Sequence, residues 1–416
     1  MHRFTLGVIL LLATPVSAAE PADVVGASSL RGKVLCGYQG WFRCPGDAAN
    51  VGWVHWSRDG RRIAPETLTF EMWPDVSELA SSERHAAPGF THTDGRPAEL
   101  FSSDDPATVL RHFRWMKENG IDGAWLQQFL VDLRGDPSSP RSKSHRRVLD
   151  HVRLAANETG RAWAITFDIA GMPNDRIYDT LTREWKRLVD EGVTRDPRYI
   201  HEKGRPVVEV FGFFKGVRSL AMTPELANKL VDFFHAPGPY QAYVVGSGDW
   251  NWRRNFDPAY RAALFRLDAF APWNVGNASK DAAGLKHANM RTLADDRREF
   301  ERDGRLWLPV IYPGFSWDNL QRKPAGSTII PRRGGMFLWE QFAELKRLGV
   351  DSAFVAMFDE VDEGTAIFKV TNDPPRQAHF VSYEGLPSDW YLRLIGEGTK
   401  WLRGDRPMSA EIPIKP

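Results

Sequence analysis

The stretch Asp351-Ser352-Ala353-Phe354-Val355-Ala356-Met357-Phe358-Asp359-Glu360-Val361-Asp362-Glu363-Gly364-Thr365 is apolar up to Phe358 and then turns abruptly acidic. A continuous apolar run of this length predicts a strand buried on both faces, the kind found in parallel sheets. Seven similar runs precede it, at 33–42, 121–129, 162–169, 206–213, 240–246, 264–272 and 306–312. Helical patterns fill the intervals. Residues 106–119 follow the cap candidates Ser103-Asp104-Asp105 and stop at Gly120, and residues 146–159 stop at Gly160. Further helices are predicted over 178–191, from Thr223-Pro224 to about His235, over 286–302 and over 335–347. Eight strands alternating with capped helices predict an α/β fold, a (β/α)8 TIM barrel with long βα loops on its catalytic face. A doubly wound sheet is the second choice, but no glycine-rich phosphate loop follows any strand.

The acidic residues then fall at the C-terminal end of the eighth strand, where barrels carry their chemistry. Four carboxylates within five residues repel one another, and in a packed setting each raises the others' pKa. Glu360 and Glu363 are three apart. On a strand they face opposite ways, whereas on a tight turn, which Gly364 favours, they face the same way. Two carboxyls on one face suit glycoside hydrolysis, one protonating the leaving oxygen and the other acting at the ring. A solvated acidic turn and a calcium or magnesium site are the other readings of the cluster.

The other strand ends supply Tyr38, Gln39 and Trp41, Gln127 and Gln128, Asp168, Asp249 and Trp250, Trp273, and Tyr312. Together they form a polar and aromatic ring. The connection from 43 to 105 is the longest, and it carries Trp53, His55, Trp56, Phe70, Glu71, Met72, Trp73 and Asp75. A second irregular stretch, 313–333, carries Phe315, Trp317 and Asn319. The chain has 16 Trp and 24 Phe among 416 residues. Such aromatic content fits either an aromatic core or indole platforms on which pyranose rings stack.

A net charge of +1 gives no basic field for nucleic acid. His2-Arg3, the apolar stretch 4–13 and Val16-Ser17-Ala18 read as a signal peptide over residues 1–19, cleaved after Ala18 or Ala19. Export to the periplasm or the medium follows, with residues 20–416 forming one catalytic domain. No membrane span is predicted after the signal peptide. Cys36 and Cys44 are the only cysteines. Eight residues apart in an oxidising compartment they are close enough to bridge, but a strand through Cys36 would carry Cys44 away.

Four pieces carry a family resemblance: Val34-Leu35-Cys36-Gly37-Tyr38-Gln39-Gly40-Trp41-Phe42, Gly52-Trp53-Val54-His55-Trp56, Phe70-Glu71-Met72-Trp73-Pro74-Asp75, and 357–365 with its Glu-x-x-Glu-Gly-Thr. They resemble bacterial proteins grouped with glycoside hydrolase families 71 and 99. Family 99 enzymes are (β/α)8 endo-acting α-mannosidases and mannanases; family 71 enzymes act on α-1,3-glucan. The resemblance implies a retaining reaction without cofactor or metal. Glu360 would act as base on the sugar's own 2-hydroxyl, which closes a 1,2-anhydro ring. Glu363 would act first as acid and then as base. Tyr38, Trp41, Trp73, Asp75, Gln128, Asp168, Asp249, Trp250, Trp273, Tyr312 and Asp359 are the expected substrate-binding residues, and the expected partner is an oligo- or polysaccharide. Val361 and Asp362 stand where the family has aromatic and histidine residues. A carbohydrate-binding barrel without hydrolysis is the other class of function that fits this sequence.

Overall fold

The apolar runs form strands because their side chains are buried on both sides of one sheet. The computed structural model describes residues 24–215, 222–254, 257–407 and 409–416. The signal-peptide reading therefore lies outside the described residues. The parallel strands are β1 (Val34–Tyr38), β2 (Gly123–Phe129), β3 (Ala162–Asp168), β4 (Arg205–Phe213), β5 (Tyr243–Asp249), β6 (Ala269–Trp273), β7 (Leu306–Trp307), β8 (Val310–Ile311) and β9 (Ala353–Val355). Every residue of β1, β3 and β9 is buried. The sheet order is β7-β6-β5-β4-β3-β2-β1-β9-β8, with His201–Glu202 pairing antiparallel to β4 at one end. Leu306 and Trp307 pair with β6, while Val310 and Ile311 pair with β9. The result is a mixed α/β, TIM-barrel-like architecture.

Helices follow the strands, and four begin with the same local device. Asp105, Ser139, Thr223 and Asp257 each cap a helix with a side-chain oxygen, and each is followed by proline at the first helical position. The cap satisfies a backbone N–H that has no helical partner, and proline has none to satisfy. Gly160 ends Pro140–Thr159 in the left-handed region at φ 70. The helix predicted over 286–302 starts only at Leu293, because Lys286–Ala288 pairs with Ala278–Lys280 as a hairpin. The tail helix Trp390–Arg403 packs on Met336–Arg347, with Trp401 stacked flat on Trp339.

The long connection after β1 is built rather than loose. It holds the hairpin Arg84–Thr91 with Pro97–Phe101 and an aromatic cluster of Phe42, Trp56, Phe70, Trp73 and Phe101. Cys36 and Cys44 are both free and buried, and the Cys44 thiol donates to the Phe101 carbonyl at 3.2 Å. No helix among the described residues is long and apolar enough to cross a membrane.

A polar contact ties the segments that follow β1 and β9 together at the end of the sheet. Asp359, just past β9, accepts from the backbone N–H of Gln39 at 2.7 Å and of Gly40 at 2.9 Å, just past β1. Each oxygen serves one donor, so an amide in its place satisfies only one. Asp359→Asn is expected to lower unfolding free energy by about 1–3 kcal/mol, measured by urea denaturation. A variant as stable as the parent would show that the contact does not hold the strand ends.

Candidate active site

After β9 the chain makes a turn over Val361–Gly364. The Glu360 carbonyl accepts from Ala366 N–H at 3.0 Å, and the Glu363 carbonyl accepts from Ser316 N–H at 2.9 Å. Gly364 sits at φ 62, and a Cβ there would lie 3.0 Å from the Ser316 nitrogen. Buried Arg332 braces the turn by donating to the carbonyls of Gly364 at 2.8 Å and Ala366 at 2.7 Å. Its charge lies over the faces of Tyr383 and Tyr391. The turn brings Glu360 and Glu363 to the same cleft, as their spacing anticipates.

That cleft holds about 740 Å³. Its polar groups are Gln39, Gln127, Asp168, Asn277, Glu360 and Glu363, and Trp41, Trp250, Trp273, Phe315 and Trp317 are prominent in its walls. The side-chain carbonyls of Gln39 and Gln127 are buried without a hydrogen-bond partner among the described residues. Acceptors on the wall of a cleft can take hydrogen bonds from a hydroxyl-bearing ligand or from water. No three His, Cys, Asp or Glu side chains are grouped to hold a metal ion among the described residues.

Burial shapes the proton affinity of the acids. It pushes Glu363 up to about 7, partly offset by the Trp317 indole N–H donating to it. Burial raises Glu360 well above its ordinary value, followed by repulsion from Glu363 and Asp362, against an opposing bond from the Gln39 side chain. Asp168 is raised to about 7 by burial and by the Glu363 charge. Burial and mutual repulsion both favour the protonated form in this pair, which suits a site that needs one acid and one base.

Of the sequence-predicted residues, Glu360, Glu363, Trp41, Asp168, Trp250 and Trp273 line the cleft. Seven others do not, and each has a structural partner instead. Tyr38 is buried, its hydroxyl bonded to His112 Nδ1 at 2.9 Å. Trp73 is buried among Phe70, Phe90 and Phe380 and donates to the Glu99 carbonyl at 3.0 Å. Asp75 accepts from Ser77 N–H at 3.0 Å within its own turn. Gln128 donates to the Gln127 carbonyl at 3.0 Å, and its neighbour Gln127 faces the cleft. Asp249 accepts from Lys215 N–H at 2.8 Å. Tyr312 donates to the Asn277 carbonyl at 2.9 Å and so supports a cleft residue from behind. Asp359 is the strut between β1 and β9.

Gln39, Gln127, Phe315 and Trp317 stand in segments whose sequence marks them as strand ends or aromatic loop, yet nothing local singles them out. Asn277 carries no such signal. Glu71, inside the most distinctive motif of the long loop, is also a brace. It accepts from Ser316 Oγ at 2.7 Å and from Asn319 N–H at 2.7 Å, pinning the loop that carries Trp317.

No protein-family model matches the chain, and no curated protein sequence matches it. Solved structures do. The chain has the fold of the family 99 glycoside hydrolases. It is similar to the GH99 endo-α-mannosidase of Bacteroides thetaiotaomicron, at a TM-score of 0.64 and 16% identity over 91% of this chain and 100% of that one. The same enzyme in complex with bis-tris-propane gives 0.63 and 16% over 91% and 99%. A glycoside hydrolase-like protein gives 0.51 and 13% over 93% and 97%.

The raised pKa of Glu363 makes stability depend on pH in a defined direction. Its folded value of about 7 lies above the ordinary 4.5. Between those values the folded state binds more protons than the unfolded state, so stability is full below the lower value and falls as pH rises through the upper one. Glu363→Gln removes this loss. It is expected to raise the melting temperature more at pH 8 than at pH 5, the difference corresponding to on the order of 1–3 kcal/mol. Equal gains at both pH values, measured by calorimetry, would contradict the assignment.

Proposed function

We propose that this chain is a retaining glycosidase acting on an α-linked glycan, and that its sheet is a closed (β/α)8 barrel in which β7 and β8 are halves of one seventh strand. The observation that carries the activity is that Glu360 and Glu363 open together into one aromatic cleft past the strand ends. Indole faces suit the apolar faces of sugar rings, and the open carbonyls of Gln39 and Gln127 suit hydroxyl donors. The family 99-type fold supports this reading, and Trp41, Asp168, Trp250 and Trp273 are the proposed substrate-binding residues.

In the proposed reaction, Glu360 takes the proton of the sugar's 2-hydroxyl while that oxygen attacks C1. Glu363 protonates the departing oxygen, and a 1,2-anhydro sugar forms. Glu363, now ionised, takes a proton from water, which opens the strained ring at C1, and Glu360 returns its proton to O2. Configuration at C1 is inverted twice and so retained. The first step needs Glu360 ionised and Glu363 protonated. A substrate 2-hydroxyl donating to Glu360 favours the ionised form there and moves the proton to Glu363.

A panel of α-1,2-, α-1,3- and α-1,6-linked mannooligosaccharides and α-1,3-glucooligosaccharides tests this. Wild-type protein is expected to cleave at least one with retention, seen by NMR of the first-formed product. Glu363→Gln should lower kcat by about 10²–10⁴-fold while sugar binding survives. A 2-deoxy sugar at the cleaved position should not turn over, and normal cleavage of it would rule out the anhydro route. Binding without cleavage across the panel would instead identify a carbohydrate-binding barrel. Activity lost to EDTA would point to a metal-dependent hydrolase.

Export belongs to the same proposal, on the strength of the sequence of residues 1–19. The mature protein is expected to start at Ala19 or Glu20, read by N-terminal sequencing of the exported fraction. An intact Met1 there would refute it.

A further inference from the structure

The motif Gly52-Trp53-Val54-His55-Trp56 has no part in the reaction above. Trp53 and Trp56 are buried in the core, but His55 is held differently. Its backbone lies in the left-handed region at φ 62. A residue with a β-carbon sits there at a cost, and it stays only when its surroundings enforce it. Thr69 Oγ1 donates to the His55 carbonyl at 2.5 Å and fixes the peptide. Thus held, the imidazole lies flat against the Trp41 indole, centroids 3.7 Å apart and planes 8° from parallel. Its Nδ1 is 3.1 Å from Asp362 Oδ2, on the turn between Glu360 and Glu363. One ring therefore touches a wall of the cleft and the segment that carries the acids.

Trp41 needs such a contact. Its indole nitrogen is buried without a hydrogen-bond partner among the described residues, so packing alone sets the ring's orientation. Phe129 meets it tilted by 34° at 5.0 Å and Phe42 edge-on at 6.2 Å. Of these ring contacts only the imidazole matches it face to face. The bond to Asp362 in turn fixes the imidazole's rotation about its own axis.

We infer that His55 is a positioning residue, which holds the Trp41 indole as a sugar-stacking platform at a fixed place relative to Glu360 and Glu363. This rests on the glycosidase reading for its kinetic consequence, but its structural consequence does not. A platform acts on a bound sugar in ground state and transition state alike, so losing it weakens binding more than it slows chemistry.

The test uses His55→Asn, Trp41→Ala and the double variant, assayed on whichever α-linked oligosaccharide of the panel is cleaved. Asparagine tolerates positive φ and keeps a donor for Asp362, so the loop can fold, but it has no ring to stack. His55→Asn is expected to raise KM about 10-fold with kcat lowered much less. Trp41→Ala should do the same or more, and the double variant should be no worse than Trp41→Ala, since His55 acts through that ring. Multiplying KM effects, or a loss confined to kcat, would overturn the inference. If no oligosaccharide is cleaved, crystal structures of the parent and His55→Asn decide. An indole rotated or displaced in the variant supports the inference, and an unmoved one overturns it, whatever becomes of the glycosidase reading.

Discussion

The carboxylate of Asp359 is the point on which the site depends. It bridges the backbone ends of β1 and β9, 320 residues apart in sequence, through Gln39 N–H and Gly40 N–H. The next residue on each side is functional in the reading offered above. Gln39 directs its own side chain at Glu360, and Trp41 follows at once. Burial raises the Asp359 carboxyl only to about 6, because the two backbone donors oppose the desolvation. An acceptor fed by backbone amides holds its charge more readily than one without them.

Around that strut the protein buries Glu360 and Asp362 and half-buries Glu363. Asp362 and Glu363 lie within the turn and Glu360 just before it, and the structure holds them there with backbone bonds and with Arg332. Desolvated acids that keep their protons near neutral pH cost stability when ionised. That cost has a use if one of them must deliver a proton.

The aromatic loops divide into two kinds. Phe70, Trp73 and their neighbours form a core under the long connection, and Glu71 pins a second loop to it. Trp41, Trp250, Trp273 and Trp317 instead face the cleft. The distinctive Phe70–Asp75 motif is thus scaffold. Its distance from the cleft is bridged by Glu71, whose hydrogen bonds set where the Trp317 loop lies.

The amino-acid sequence places most strands and helices in order, because apolar runs and cap-proline signals are local, but it leaves out the two hairpins and the short helix Pro258–Leu264. It also placed Glu360 and Glu363 at a strand end, and their spacing with Gly364 put both on one face. It could not decide which of two adjacent strand residues faces inward. A strand buried on both sides shows no alternation, so the sequence does not distinguish Gln127 from Gln128. Nor could it separate cleft from core among the tryptophans, since both want apolar surroundings. Asp359 reads as one more acid of the cluster until the end of β1 is brought against it. Only tertiary structure supplies its two amide donors, and contacts across 320 residues leave no mark in local pattern. Folding decided which acids are struts and which open to the cleft, because that difference lies in their partners and not in their side chains.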